Sequence, residues 1–334
     1  MDEKQHLIPK FLLRRFSDDE KIVVWDRQLR KSIPTSVDRA AKIGSYYSVP
    51  EEPTVPDEGL EEALQTLSSV PGLRDSILEF NDDGTAILKR NAIEAFLSYM
   101  EGKAEPAVQR LTNDGPPVIG GEREMDRFYI AALVALQYLR GESFREQFDE
   151  VVRAFIKFRL ENSADSGEMS LDVLDNLQIG TSHKLAMMLS MAIENIAPLL
   201  FKFKWRVLHY SAPEVVGTDE GVGLWARPSR DLEVNPLAIG TADAIYVPLG
   251  AHDILQLTNS TLKEEIVPGS DAKLRHSNEV VASAAQRWIF THPDNSAVHD
   301  LGVRPRRRVR HQLFPLPSLP SGERRELLRF SNAL

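Results

Sequence analysis

The feature that most constrains this chain is a change of hydrophobic period near residue 204. Before it, apolar residues recur every three or four positions. Asn91 to Leu111 carries Ile93, Phe96, Leu97, Met100, Ala104, Val108 and Leu111, the spacing that lines one face of an α-helix. A second helical pattern runs from Arg123 to Leu160, with Gly141 expected to break or bend it, and a third fills Leu171 to Phe203. After residue 204 the period shortens. Trp205 to Tyr210 alternates as a strand does, and Gly221 to Trp225, Ala244 to Leu249 and Ile254 to Leu257 read as further short strands between Gly, Pro and Asp turns. Ser277 to Phe290 returns to a helical pattern. A helical block followed by a run of strands favours segregated α+β over alternating βαβ units.

The N-terminus adds two elements. His6 to Phe16 reads as a helix of one or two turns with Pro9 near its start, where proline is tolerated. Lys21 to Asp26 is rich in β-branched residues and reads as a strand, and residues 32–48 as a loop with short elements. The expected fold is therefore α+β: a helical middle packed with a small, mostly antiparallel sheet, formed by the N-terminal strand and the strands in residues 204–258. Residues 1–300 are expected to form one domain. Within it, about 50–89 reads as an insertion that opens on an exposed loop with three prolines and four acids (VPEEPTVPDEG, 49–59) and continues in a short helix, Leu60 to Leu67. Residues 301–334 read as a basic, Pro-rich extension closing in a helix from Gly322 to Leu334.

Composition narrows the chemistry. The chain has 334 residues, of which 42% are apolar and 27% charged, enough to bury a large core without a disulfide or structural metal. It has no cysteine, which excludes thiol nucleophiles and cysteine-ligated zinc and fits a reducing compartment. The opening MDEKQHLIPKFLL lacks the long apolar core of a signal peptide. Leu185 to Phe203 is interrupted by Ser190, Glu194, Asn195, Pro198 and Lys202, so it reads as a buried helix rather than a span. A soluble, cytoplasmic protein with no membrane partner is expected. There is no phosphate loop, dinucleotide glycine fingerprint, His-Glu-x-x-His pair or Gly-x-Ser-x-Gly elbow.

Net charge is −9, with one strongly basic run: Arg304, Arg306, Arg307, Arg308 and Arg310, followed by His311. Such a run can hold a phosphate backbone. It can equally be a solvated face offset by the acidic excess.

Three groups of residues combine into a family resemblance. The first is His6-Leu-Ile-Pro9-Lys-Phe11-Leu12-Leu-Arg-Arg-Phe16, with the strand ending in Trp25-Asp26-Arg27. The second is Ile93-Glu94 and Tyr99-Met100-Glu101, then Leu136-Gln137-Tyr-Leu139-Arg140 and Phe144-Arg145. The third is Trp205, Thr218-Asp219, Tyr246-Val-Pro248-Leu249, Asn278 and Arg287. In this order they resemble the uncharacterised family called domain of unknown function 4238. That family has a His-x-x-Pro-x-x-Leu-x-x-x-Phe start, two helix glutamates seven apart, a Gln-x-x-Arg helix and a late Thr-Ser-Asp-x-Pro strand end. Here the last motif reads Gly217-Thr218-Asp219-Glu220-Gly221, without the proline, and only Asp219 is carried over. The resemblance implies a fold and a set of positions, and no reaction.

The residues themselves support two chemistries. Glu94 and Glu101 are nearly two turns apart on one helix and share a face with Leu97. They could hold a divalent metal, Mg or Mn, or act as acid and base. Alternatively, they pair with Arg140 and Arg145 across a helix contact, since Arg is the usual partner of buried carboxylates. Gln137 and Arg140 project from one side of their helix. His6 would assist such a site or simply pack. Asp219 suits a strand-end functional loop or an Asx turn, and Asn278 suits a helix cap. One reading is a hydrolase of phosphodiester or nucleotide bonds, nuclease-like and of defence or toxin type. In it His6, Glu94, Glu101, Gln137, Arg140 and Asp219 are catalytic, with Glu94, Glu101 and Asp219 as metal ligands and nucleic acid or a nucleotide as substrate. The other is a non-enzymatic module that senses a ligand or binds a protein partner, with the same cluster structural.

Overall fold

A computed structural model of the chain describes residues 4–40, 42–44, 78–80, 86–88, 92–142, 144, 191–229, 237–295 and 301. The fold is α+β, and its strands divide between two main sheets rather than one. The first sheet has the order β3-β2-β13-β8, from β2 (Lys21–Asp26), β3 (Lys31–Ser36), β8 (Gly217–Thr218) and β13 (Trp288–Thr291). The second has the order β12-β7-β11-β10-β9, from β7 (Lys204–His209), β9 (Gly223–Trp225), β10 (Ala244–Pro248), β11 (Asp253–Thr258) and β12 (Ile266–Pro268). In the second sheet β12 runs parallel to β7 and every other pairing is antiparallel. Two small antiparallel pairs complete the described strands: β1 (Lys4–His6) with β4 (Lys42–Gly44), and β5 (Leu78–Phe80) with β6 (Ala86–Leu88).

The N-terminal strand β2 therefore does not join the strands of residues 204–258. It pairs with β13, in the register Val24 with Phe290 and Trp25 with Ile289. The helical pattern of Ser277 to Phe290 hides this partner, because its last residues are Trp288-Ile-Phe, aromatic and β-branched types that suit a strand. The helix itself, α5 (Asp271–Ala284), ends before them. On the other side of β2, residues 31–36 form strand β3 where a loop was expected. Pro34 lies in it, which is tolerated because β3 is an edge strand.

The N-terminal segment contributes a short helix, α1 (Lys10–Arg14), and three further helical segments build the middle. α2 (Ala92–Asp114) packs along α3 (Glu124–Arg140), and a π-helical turn, Met191–Ile196, runs into α4 (Ala197–Lys202) against α3. α3 is buried at every position from Ile130 to Arg140, so it is a core helix rather than an amphipathic cover. It stops at Gly141, whose backbone turns extended (φ −55, ψ 140), as the sequence suggested. β10 is likewise buried throughout, as expected of a strand covered on both faces. α5 covers its neighbour β9 so closely that a Cβ on Gly223 would lie 3.0 Å from the Val281 backbone.

Among the described residues no helix is long and apolar enough to cross a membrane. The expected helices at 60–67 and 322–334, the helical pattern from 145 to 160 and the basic run at 304–310 lie outside the described residues.

Candidate functional site

The C-terminal half of α3 faces a tight turn. β8 ends at Thr218, and the Gly221 N–H donates back to the Thr218 carbonyl at 3.0 Å, closing a β-turn over Asp219 and Glu220. Gly221 has φ +67, the left-handed region in which glycine is unstrained. A side chain there would also press on Gln137, since a Cβ would lie 3.1 Å from its Oε1. At the end of α3, a Cβ on Gly141 would collide with the Glu220 carboxylate. Two glycines thus let turn and helix approach each other.

Gln137 is 2% exposed and Thr218 is 1% exposed. Both ends of the Gln137 amide and the Thr218 hydroxyl have no hydrogen-bond partner. Buried polar groups are almost always bonded, and leaving one unsatisfied costs about 1–3 kcal/mol. Both side chains line a small cavity of about 20 Å³, walled otherwise by apolar groups that include Ile8, Leu12, Val247 and Pro248. That volume holds about one water-sized group. The N-terminal His-x-x-Pro segment, the Gln-x-x-Arg helix, the Thr-Asp turn and the Tyr-Val-Pro strand, far apart in sequence, meet here.

Arg140, one turn on from Gln137, donates from Nη1 to Glu101 Oε1 at 3.0 Å. This is the helix–helix pairing anticipated as the alternative to a metal role for Glu101. Asp219 is oriented away from the cavity. Its Oδ1 accepts from the Gln286 N–H at 3.0 Å, and its Oδ2 from those of Arg287 and Trp288 at 2.7 and 3.0 Å. Burial pushes its carboxyl up to about 6, against the pull of those three N–H groups and with the charge of Glu142 adding to the rise. The carboxylate thus anchors the start of β13 to the turn.

Asp26 holds the same strand from the other side. It accepts from the Gln28 and Leu29 N–H groups and from Arg287 Nε at 3.0 Å. Burial alone would raise its pKa, but the Leu29 N–H and the Arg287 guanidinium hold it below the usual range. Asn278 is not a cap. Ser270 caps α5, while Asn278 accepts from the Val216 N–H and donates to the Glu214 carbonyl.

His6 is the last residue of β1, and Glu94 lies in the first turn of α2. Both side chains lie outside the described residues, as do Arg304, Arg306, Arg307, Arg308 and Arg310. Among the described residues no group of three or more His, Asp or Glu side chains is gathered to hold a metal ion. Gln137 and Arg140 thus sit on one helix at the turn, Glu101 meets Arg140, and Asp219 shares the turn while facing β13.

A family model described as Protein of unknown function (DUF4238) matches residues 4–295. The chain belongs to this family. No curated protein and no solved structure matches it. The motif positions of this DUF4238 chain divide between two tasks: Gln137, Pro248 and Thr218 border the cavity, and Asp219, Asp26 and Arg287 lock the sheet. Sequence reasoning quoted Thr218 and Glu220 only within the strand-end motif and gave neither a site role. Thr218 was legible as the strand-end residue of a Thr-Asp-x-Gly turn; Glu220 gave no signal beyond its place in that turn.

Proposed function

We propose that this chain is a cytoplasmic protein that binds a small polar molecule, with the Gln137–Thr218 cavity gripping one polar group of it. The observation that carries this reading is the set of three unpartnered polar atoms on two almost fully buried side chains around one cavity. A carboxamide offers donors and an acceptor, and the hydroxyl offers one of each. The group they suit is uncharged and able both to donate and to accept: an amide, a hydroxyl or a water held against the ligand. Apolar walls around a few convergent polar groups are the usual make-up of a ligand site. The test is a thermal-shift panel of small polar metabolites on the wild type, Gln137→Met and Thr218→Val. A ligand should raise the wild-type Tm and leave both variants unmoved. Equal shifts in all three proteins would reduce the cavity to packing space.

A second reading keeps the chain among hydrolases of phosphodiester or nucleotide bonds. What favours it is buried Arg140 beside Gln137, a cation placed to stabilise developing anionic charge. Mg- or Mn-dependent cleavage of RNA, DNA or a nucleotide, lost in Glu101→Ala at unchanged Tm, would support it. Absence of cleavage by the wild type on all three substrates would remove it.

A further inference from the structure

A different set of groups lies beside α5. In the second sheet, Arg206 of β7 stands directly opposite Gln256 of β11, and Gln256 opposite Tyr246 of β10. Directly opposed residues point to the same face, so the three form one row across the sheet. α5 packs on that face. Its His276 ring meets the Tyr246 ring edge-on with centroids 5.7 Å apart, and the Trp225 ring of β9 edge-on at 5.3 Å. β11 is buried at every position except Gln256, so the row opens to solvent there. Trp225 and His276 are likewise half-buried and leave ring surface beside the opening.

Arg206 is the unusual member of the row. Its side chain is only 19% exposed, yet its Nε is buried without a hydrogen-bond partner. Its Nη2 is 3.7 Å from the Glu265 carboxylate, beyond hydrogen-bond reach. Glu265 is held instead by Lys263 at 2.7 Å. Lys263 and Glu265 offset each other, which leaves the single positive charge of Arg206 to be matched. A guanidinium presents parallel N–H groups that fit a carboxylate two at a time. The Gln256 amide supplies a further donor beside it. Arg206 and Tyr246 stand two strands apart, about 9.6 Å, a gap that one planar ring with a carboxylate on its edge spans.

We propose that Arg206, Gln256, Tyr246, Trp225 and His276 form a binding site for a planar organic monocarboxylate. The Arg206 guanidinium takes the carboxylate, and the Gln256 amide donates to it from the floor. The rings of His276, Trp225 and Tyr246 receive the flat body of the ligand. A phosphate monoester carries more negative charge than this surround offsets, with Glu265 so close to Arg206. The site shares no residue with the Gln137 cavity.

The test is a ligand-observed NMR titration of the full chain with benzoate at millimolar concentrations, alongside acetate, benzamide and AMP. Benzoate should bind at least about tenfold more tightly than acetate, which lacks the ring, and than benzamide, which lacks the charge. Arg206→Gln should weaken benzoate at least about tenfold. His276→Ala, at a half-buried position, should weaken benzoate and leave acetate unchanged, and it keeps the test valid if Arg206→Gln fails to fold. Benzoate that does not bind the wild type, or binds the wild type and both variants alike, would overturn the proposal. So would AMP binding more tightly than benzoate, the mark of a phosphate site.

Discussion

The two ends of α3 bury polar side chains in opposite ways. Near its N-terminus Arg127 is wholly buried, and every contact is complementary. Nε donates to the Phe201 carbonyl at 2.8 Å, Nη1 to Pro117 at 2.7 Å, and Nη2 to Phe203 at 2.6 Å and Glu264 Oε1 at 2.7 Å. The guanidinium also stacks 4.5 Å from the Trp205 ring. It meets the carbonyls that the end of α4 leaves without helical partners, and ties α3 to β7. Near the C-terminus Gln137 is just as buried, yet its amide bonds to nothing in the protein. The same helix thus carries a polar group that builds the fold and one that the fold leaves available. Burial alone does not separate the two; the completeness of the bonding does.

The largest test of this contrast is Arg127→Met. It should cost about 3–5 kcal/mol in urea unfolding, as expected when one partner of a buried charged network is removed. A loss below about 1 kcal/mol would mean that Arg127 is no clamp. Next comes Asp219→Ala, which leaves three part-buried N–H groups without their acceptor and should cost about 1–3 kcal/mol. Its pH dependence has a definite sign. The folded carboxyl sits near 6, above its ordinary 3.8, so the folded state binds the proton more tightly. Asp219's contribution is therefore full below about 3.8 and is lost as pH rises to about 6. Denaturation across that window should show the decline in the wild type and not in Asp219→Asn.

Gly141→Ala drives a methyl into the Glu220 carboxylate and should destabilise by about 1–3 kcal/mol. An unchanged Tm would mean that turn and helix are loosely apposed. The smallest effect is expected for Gln137→Met, which replaces an unsatisfied amide with an apolar side chain of similar length. Stability should stay within about 1 kcal/mol of the wild type or rise. A large loss would place Gln137 with Arg127 as a structural group.

Much of the α+β layout was legible because period is a local property. α2, the stop of α3 at Gly141, and the strands around Trp205, Tyr246 and Leu255 follow from spacing and breakers alone. Pairing is not local. Trp288 to Phe290 reads as the end of a helix until β2 is brought beside it, and nothing near Asp26 announces Arg287. The site was partly legible for the same reason. Gln137 and Arg140 share a helical face by arithmetic, and Glu101 was named as a partner for Arg140. That Asp219 directs both oxygens at the backbone of residues 286–288 depends on the turn, and the turn depends on two glycines meeting α3. Arg206 and Gln256 become neighbours only through register.

The pairing of β2 with β13 has a consequence for how the chain is made. Asp26 and Arg287 touch across 261 residues. While the ribosome extends the chain, β2 and β3 can form a hairpin at once, but the other edge of β2 stays open until almost the whole domain has emerged. An open edge is a template for foreign strands, and contacts this distant in sequence form slowly. Chains that stop before Trp288 would keep their helices and five-stranded sheet yet expose that edge. Truncation should therefore appear first as aggregation.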